Sequence, residues 1–215
     1  MKMKVVFVVV TVAVFAGSTL AAPDEYRLAF ITSTNPGATL STIGEYNALV
    51  QSLADAAGIG GDVTWNVIGS TSEVDARDNT GTNPDVDGVG VPIYLVDMTT
   101  LVASNNADLW DGTIDHIIDQ DENGATKAHW PFTGSYWDGT LSTGKPNTGG
   151  MGLDGTGEIT QGNGSRTDQW IWRQWTSDPA ATALPLYAMS EVIPEPATIC
   201  LLGFGGLMLR RRRKA

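Results

Sequence analysis

The chain has 215 residues and a formal net charge of −11, and all 24 of its acidic residues lie between two apolar terminal segments. Only six basic residues fall in this central region, residues 22–196, so it carries a formal charge of −18. Such a surface repels nucleic acid and anionic lipid, which excludes nucleic acid as a partner. The one cysteine, Cys200, lies near the C-terminus, so the central region must be held together by core burial without disulfides.

The first 21 residues have the pattern of a secretory signal peptide. Lys2 and Lys4 precede an apolar stretch, residues 5–16, and small residues follow it. We place the signal-peptidase cut after Ala21, because Pro23 is unfavourable immediately after a cut. The pattern predicts that the protein is exported and that its folded domain begins at residue 22.

The central region predicts one main helix and several short strands. Thr42 and Glu45 form a capping box, apolar side chains then recur at helical spacing, and Gly58 is a natural stop. β-Forming residues predict strands at 26–31, 63–68, 91–96, 101–103 and 184–192. Glycine is dense over 134–164, where regular structure should be sparse. We therefore predict an α+β domain over residues 22–191 with long Gly-rich loops.

An acidic segment at 119–124 begins like a calcium-binding loop, with oxygen ligands at alternate positions and a glycine for the turn. The twelfth position from Asp119 is Trp130, where an EF-hand needs a glutamate, so the full motif fails. A looser site would use Asp115, Asp119, Asp121 and Asn123 as candidate calcium ligands. The alternative interpretation is a solvated acidic turn. We therefore predict no cofactor, with calcium as the alternative.

Seven tryptophans are many for a domain of this size, and the sequence allows two uses for them. A disulfide-free, Gly-rich domain needs large core side chains, which favours core packing. Exposed indole faces can instead stack on sugars. Trp170 and Trp172 would share one face if their segment were extended, so they are the candidate pair for sugar stacking.

Catalytic motifs are missing from the sequence. His116 and His129 are the only histidines, and neither belongs to a His-Glu-x-x-His sequence. No Gly-x-Ser-x-Gly nucleophile elbow and no phosphate-binding loop occurs. We therefore predict that the protein is not an enzyme.

The C-terminus has three adjacent parts. Pro194, Glu195 and Pro196 form a stiff, extended tripeptide, because proline fixes φ and removes a backbone donor. An apolar run, 197–209, spans ~20 Å as a helix at ~1.5 Å per residue and so falls short of the ~30 Å hydrocarbon core. Arg210, Arg211, Arg212, Arg213 and Lys214 then form a basic stop, which favours the cytoplasmic side. The run predicts a transient membrane anchor; a permanent tail anchor is the alternative.

These three parts resemble the PEP-CTERM sorting signal over residues 192–214. The resemblance implies that an exosortase-type transpeptidase in the membrane recognises residues 194–196 and removes residues 197–215. It also implies a bacterium that makes exopolysaccharide. The expected route is export, an intermediate anchored in the inner membrane through 197–209, and then release to the cell surface or the extracellular space.

The central region resembles the endostatin-like branch of the C-type-lectin fold. That resemblance implies a small mixed sheet, one main N-terminal helix and pairing between the first and last strands. The family usually has two disulfides, and this domain has none. The resemblance also implies zinc binding through histidines near the start of the domain. No histidine precedes His116 here, so we carry over no zinc site. Besides the first strand and helix, the resemblance is carried, in order, by residues 63–66, 75–77, 91–94, 101–103, 107–112, 121–124, 132–134, 138–139 and 185–187.

Three functions are compatible with these patterns. The first is a structural or adhesive protein of the envelope or matrix, linked to exopolysaccharide. The second is a lectin-like carbohydrate-binding module that uses tryptophan faces, with or without calcium. The third is a secreted hydrolase of matrix polymer.

Overall fold

The computed structural model describes residues 25–143, 150–173 and 177–194. Within these ranges there are three helices and nine strands. The helices are α1 (Ile43–Ala57), α2 (Ala76–Asn79) and α3 (Asn106–Leu109). The strands are β1 (Glu25–Ile31), β2 (Trp65–Val67), β3 (Ile93–Leu95), β4 (Leu101–Ala103), β5 (Gly150–Met151), β6 (Glu158–Thr160), β7 (Ser177–Pro179), β8 (Tyr187–Ser190) and β9 (Ile193–Pro194).

The main sheet is small and mixed, as predicted. Five of its strands lie in the order β2-β8-β1-β3-β4, and β9 pairs with the start of β1. Strand β1 is parallel to β3 and antiparallel to β8, with Ala29 opposite Met189. The first strand is thus paired with the last two, as predicted. A second sheet, β5-β6-β7, was not predicted from the sequence and lies partly within the glycine-dense stretch.

Strand β1 lies at the centre of the domain and is buried on both faces. Leu28 and Phe30 point into one apolar cluster, which also contains the inner face of α1. Ala29 and Ile31 point into a second cluster on the opposite face of the sheet. Because successive strand residues alternate between faces, one short strand connects both halves of the core.

Helix α1 is the element that the sequence predicts best. The Thr42 hydroxyl accepts a hydrogen bond from the Glu45 amide, and the Glu45 carboxylate accepts one from the Thr42 amide. At the other end Gly58 adopts φ 68°, a left-handed conformation that favours glycine. The capping box and the stop are confirmed, because both are made by residues within the helix and its caps.

The domain continues past the predicted boundary at residue 191. Ile193 is only 9 % exposed and belongs to the same apolar cluster as Phe30. In β9 it pairs with Tyr26, and Pro194 pairs with Glu25. The last strands are also shorter than the predicted strand 184–192, because the antiparallel register with β1 shifts by one residue between β8 and β9 and interrupts the pairing.

Candidate functional site

One member of the predicted stacking pair, Trp170, is buried inside the domain. Trp170 is 0 % exposed and packs against Trp110, with ring centroids 5.7 Å apart, and against Tyr187 at 6.1 Å. Its ring has no face available to a sugar, which corrects the prediction for this residue. The cause is that the segment is not an extended surface strand: residues 169–171 turn into the core, where Thr133 Oγ1 donates to the Ile171 carbonyl at 2.7 Å.

Trp172, the other member of the pair, is half-buried at the edge of this core. Its ring meets the edge of Tyr136 in a T-shaped contact, with centroids 5.6 Å apart. Such edge-to-face geometry is the favourable arrangement for two aromatic rings. Trp172 therefore keeps part of its surface in solvent, beside a second aromatic residue.

Two other tryptophans are exposed, and the sequence did not single them out. Trp130 and Trp137 are each 47 % exposed. Trp137 lies at the tip of a short hairpin, in which Ser135 pairs with Leu141 and the Gly139 amide donates to the Tyr136 carbonyl. The exposure of its ring is therefore set by a hydrogen-bonded turn.

The base of this hairpin packs tightly on the core. Gly139 has φ +77°, and a Cβ there would lie 2.7 Å from the Trp110 ring, so only glycine fits. Asp138 stabilises the turn by accepting hydrogen bonds from the Thr140 amide and hydroxyl. A rigid base under Trp137 follows from these contacts.

Backbone hydrogen bonds hold the residues on both sides of Trp130. The Gly164 amide donates to the His129 carbonyl, and the Gly162 amide donates to the Pro131 carbonyl, both at 2.9 Å. The guanidinium carbon of Arg173 lies 5.0 Å from the centre of the Trp130 ring, a cation–π distance. Arg173 directly follows Trp172 in the chain, so this contact joins Trp130 to the Trp172–Tyr136 pair.

Two side-chain contacts, Trp130–Arg173 and Trp172–Tyr136, are connected through chain bonds into a group of residues that we call the aromatic strip. Its members are Trp130, Arg173, Trp172, Tyr136 and Trp137. Each member contacts the next through space or is bonded to it in the chain. The strip is the candidate functional site, because it includes the two most exposed tryptophans of the described residues together with Arg173, one of the few cations of the domain.

The acidic segment that resembled a calcium loop forms a tight turn. The Asp121 carboxylate accepts hydrogen bonds from the Asn123 amide at 2.9 Å and the Ala125 amide at 3.0 Å. Glu122 is buried, and its carboxylate accepts hydrogen bonds from the amide and hydroxyl of Ser33. Asp121 thus closes the turn itself, and Glu122 holds the turn against the loop that follows β1.

Lys127 completes this junction. Its Nζ donates to the carbonyls of Thr32 and Ser33 and to the side chain of Asn35, at 2.7–2.8 Å. Partial burial lowers the pKa of Lys127, and the nearby carboxylates of Glu122 and Asp121 oppose that shift. The junction is a structural clamp between two loops.

The calcium prediction fits this arrangement poorly. Among the residues that the structure describes, no three acidic or histidine side chains converge into a metal-binding group, and this covers Asp115, Asp119 and Asp121. Asn123 is exposed on the turn. Of the predicted ligands, Asp121 accepts hydrogen bonds from backbone amides within the turn.

Strand β9 connects the domain to the C-terminal segment. Pro194, the first residue of the predicted tripeptide, pairs with Glu25 at the start of β1. Glu195, Pro196 and the whole stretch 197–215 lie outside the described residues, as do residues 1–24. Within the described part of the chain no helix is long and apolar enough to cross a membrane, and the predicted anchor, 197–209, falls beyond it.

Comparison with known proteins identifies the C-terminal segment. The model for the PEP-CTERM protein-sorting motif matches residues 192–214, which confirms the predicted resemblance. The match covers the tripeptide at 194–196 and the basic residues at 210–214. No curated protein matches the chain. The motif indicates exosortase-dependent sorting to the envelope, with export and a transient membrane-anchored intermediate.

Part of the aromatic strip could have been predicted from the sequence. The dipeptide Asp138-Gly139 is a turn signal, and it places Trp137 at the tip of a hairpin. Trp130 carries no such signal, since its exposure depends on contacts with residues 162–164 and Arg173. Trp170 and Trp172 are two residues apart, and only the packing separates the buried ring from the half-exposed one.

Proposed function

We propose that the protein is a non-catalytic component of the bacterial cell envelope or extracellular matrix, with a structural or adhesive role linked to exopolysaccharide. The observation that carries this proposal is a PEP-CTERM motif joined without a linker to a folded, strongly acidic domain. Removal of the tail leaves that domain as the delivered product. Its final location in this proposal is the cell surface or the extracellular space.

The finer fold is part of the same proposal. A mixed sheet, one main helix after the first strand, and pairing of the first and last strands support an endostatin-like, C-type-lectin-like domain. Such a domain presents ligands on its loops, because loops lie at the surface of a rigid scaffold. The aromatic strip lies on loops of this kind.

The absence of catalysis is likewise proposed. His116 Nδ1 lies 2.8 Å from the Ile117 carbonyl, and His129 Nδ1 accepts a hydrogen bond from the Trp130 amide. Within the described residues no hydrogen bond joins either ring to a nucleophilic or acidic side chain, whereas a general base needs a nearby nucleophile or substrate. A secreted hydrolase is therefore the least supported of the three functions.

A carbohydrate-binding, lectin-like module is the second candidate function. The half-exposed rings of Trp130 and Trp137 favour it, since large aromatic faces at a surface are typical of ligand contact. The two candidates are compatible, because an adhesive matrix protein needs a surface that holds the matrix polymer.

The sorting part of the proposal is tested in a bacterium with an exosortase-type system. The full chain is compared with Glu195→Ala, inside the motif, and Glu191→Ala, just outside it. We expect wild type and Glu191→Ala to lose the tail and reach the surface or matrix fraction, and Glu195→Ala to remain in the inner membrane. Mass spectrometry of the C-terminal peptide reports the cut.

Two outcomes contradict the proposal. Equal tail removal in Glu195→Ala and wild type would show that the motif does not direct processing. A processed protein that never co-sediments with cells or matrix would exclude the structural or adhesive role.

A further inference from the structure

We infer that the aromatic strip binds an uncharged polysaccharide chain. The inference rests on the proposed matrix role and assigns it a site and a ligand class. Its residues are the five that define the strip, with Trp130 and Trp137 at its two ends.

The first argument is the unequal burial of the tryptophans. Trp65, Trp110 and Trp170 are at most 5 % exposed, which is what a disulfide-free core requires of large side chains. Trp130 and Trp137 keep 47 % of their surface in water. Each Å² of apolar surface left in water lacks the roughly 25 cal/mol of stabilisation that its burial would give. That surface stays in water unless a ligand covers it, so two large aromatic side chains are available for binding.

The second argument is preorganisation. Trp137 projects from a hairpin closed by the Ser135–Leu141 bridge, and Trp130 is flanked by two backbone hydrogen bonds. Arg173 and the Tyr136–Trp172 contact fix the middle of the strip. Aromatic side chains held in this way lose little conformational entropy on binding, so their contact area converts efficiently into affinity.

The third argument is the chemistry of the strip. The faces of a pyranose ring are largely C–H groups, and they stack on indole and phenol rings as other apolar rings do. The hydroxyl groups at the rim of the sugar need polar partners. Arg173 supplies donors in the middle of the strip, and the Tyr136 hydroxyl, which lies 3.3 Å from the Thr143 hydroxyl, can donate or accept.

Charge then selects among polysaccharides. The domain carries a formal charge of −18 between residues 22 and 196, and Arg173 is the single cation of the strip. Uronic-acid or sulfated polymers would approach against this field, whereas an uncharged chain would not. Binding carried by stacking and neutral hydrogen bonds also varies little with salt, unlike binding carried by charges.

The test is affinity electrophoresis of the full chain in non-ionic detergent with EDTA present. The gels contain dextran, hydroxyethyl cellulose or galactomannan as neutral polymers, and alginate as the anionic one. Trp130→Ala and Trp137→Ala remove one ring each, and Trp137→Phe keeps an aromatic face. Val89→Ala, at a side chain 76 % exposed outside the strip, is the matched surface control. Thermal melting of each variant checks that it is folded.

We expect at least one neutral polymer to retard the wild type equally at low and high salt. Each Trp→Ala change should weaken binding about tenfold, the loss of roughly 1.4 kcal/mol that one aromatic anchor supplies. Trp137→Phe should bind more tightly than Trp137→Ala, and Val89→Ala should behave as the wild type. No retardation by any neutral polymer, unchanged binding by both Trp→Ala variants, or salt-sensitive binding to alginate alone would each overturn the inference.

Failure of this inference is distinguishable from failure of the proposed function. The gels contain no exosortase, so a chain that is sorted and processed normally yet binds no neutral polymer refutes the glycan site alone. A chain that binds such a polymer through the strip but is never sorted refutes the proposed destination alone.

Discussion

Ile193→Ala tests whether the start of the sorting segment is an integral part of the folded domain. Ile193 is 9 % exposed and packs in the cluster that contains Phe30 and Trp65. Truncating a buried isoleucine to alanine costs about 2–5 kcal/mol, and we expect the lower end because β9 is short and its surroundings can relax. For a domain of this size, about 2 kcal/mol lowers the Tm by roughly 4–8 °C.

The assay is thermal unfolding of the full chain, followed by far-UV circular dichroism and by tryptophan fluorescence, to which Trp65 contributes along with the other six tryptophans. Val86→Ala is the matched control, since its side chain is 78 % exposed and its truncation should stay within about 0.5 kcal/mol of wild type. A Tm shift for Ile193→Ala no larger than that of the control would refute the reasoning. It would mean that burial of Ile193 in β9 contributes nothing measurable to the stability of the fold.

Three further predictions concern the helix cap, the alkaline limit and calcium. Thr42→Ala removes the capping box of α1 and should lower the free energy of unfolding by about 1 kcal/mol in urea titrations; an unchanged midpoint would contradict the cap's role. Burial raises the pKa of Tyr46 to about 12, above its ordinary value of 10.0, so its contribution to stability is complete below pH 10 and is lost as the pH rises towards 12. Tyr46→Phe should reduce the loss of unfolding free energy over that pH interval. An equally steep loss in the variant would mean that another group causes it. Millimolar calcium against EDTA should leave the Tm unchanged, because Asp121 and Glu122 bind protein donors; a rise of several degrees would restore the calcium site.

Local sequence signals predicted those parts of the fold that depend on neighbours in the chain. The Thr42–Glu45 capping box and the Gly58 stop are made within a few residues, and the structure confirms both. Short strands at 26–31 and 101–103 were predicted from β-forming side chains and are present as β1 and β4. The second sheet was not foreseen, since β5 and β7 are only two and three residues long and carry no periodic pattern.

The candidate site depends on contacts that local sequence signals do not predict. Trp170 is buried because it meets Trp110 and Tyr187, which lie far from it in the chain. No local pattern encodes that meeting, so the sequence could nominate Trp170 and Trp172 as a pair but could not say which ring is covered. The exposure of Trp130 is likewise not encoded by its neighbours in the chain, because its surroundings come from residues 162–164 and Arg173.

The sequence by itself determined the sorting motif of this protein and its one long helix among the described residues. The sorting motif at 192–214 is read by other proteins as a linear segment, so its order of proline, apolar run and arginines is sufficient. Only the tertiary structure decided which tryptophans face water and that Ile193 and Pro194 close the sheet beside Glu25. Exposure is a property of all the chain segments that surround a side chain, and those segments come together only on folding.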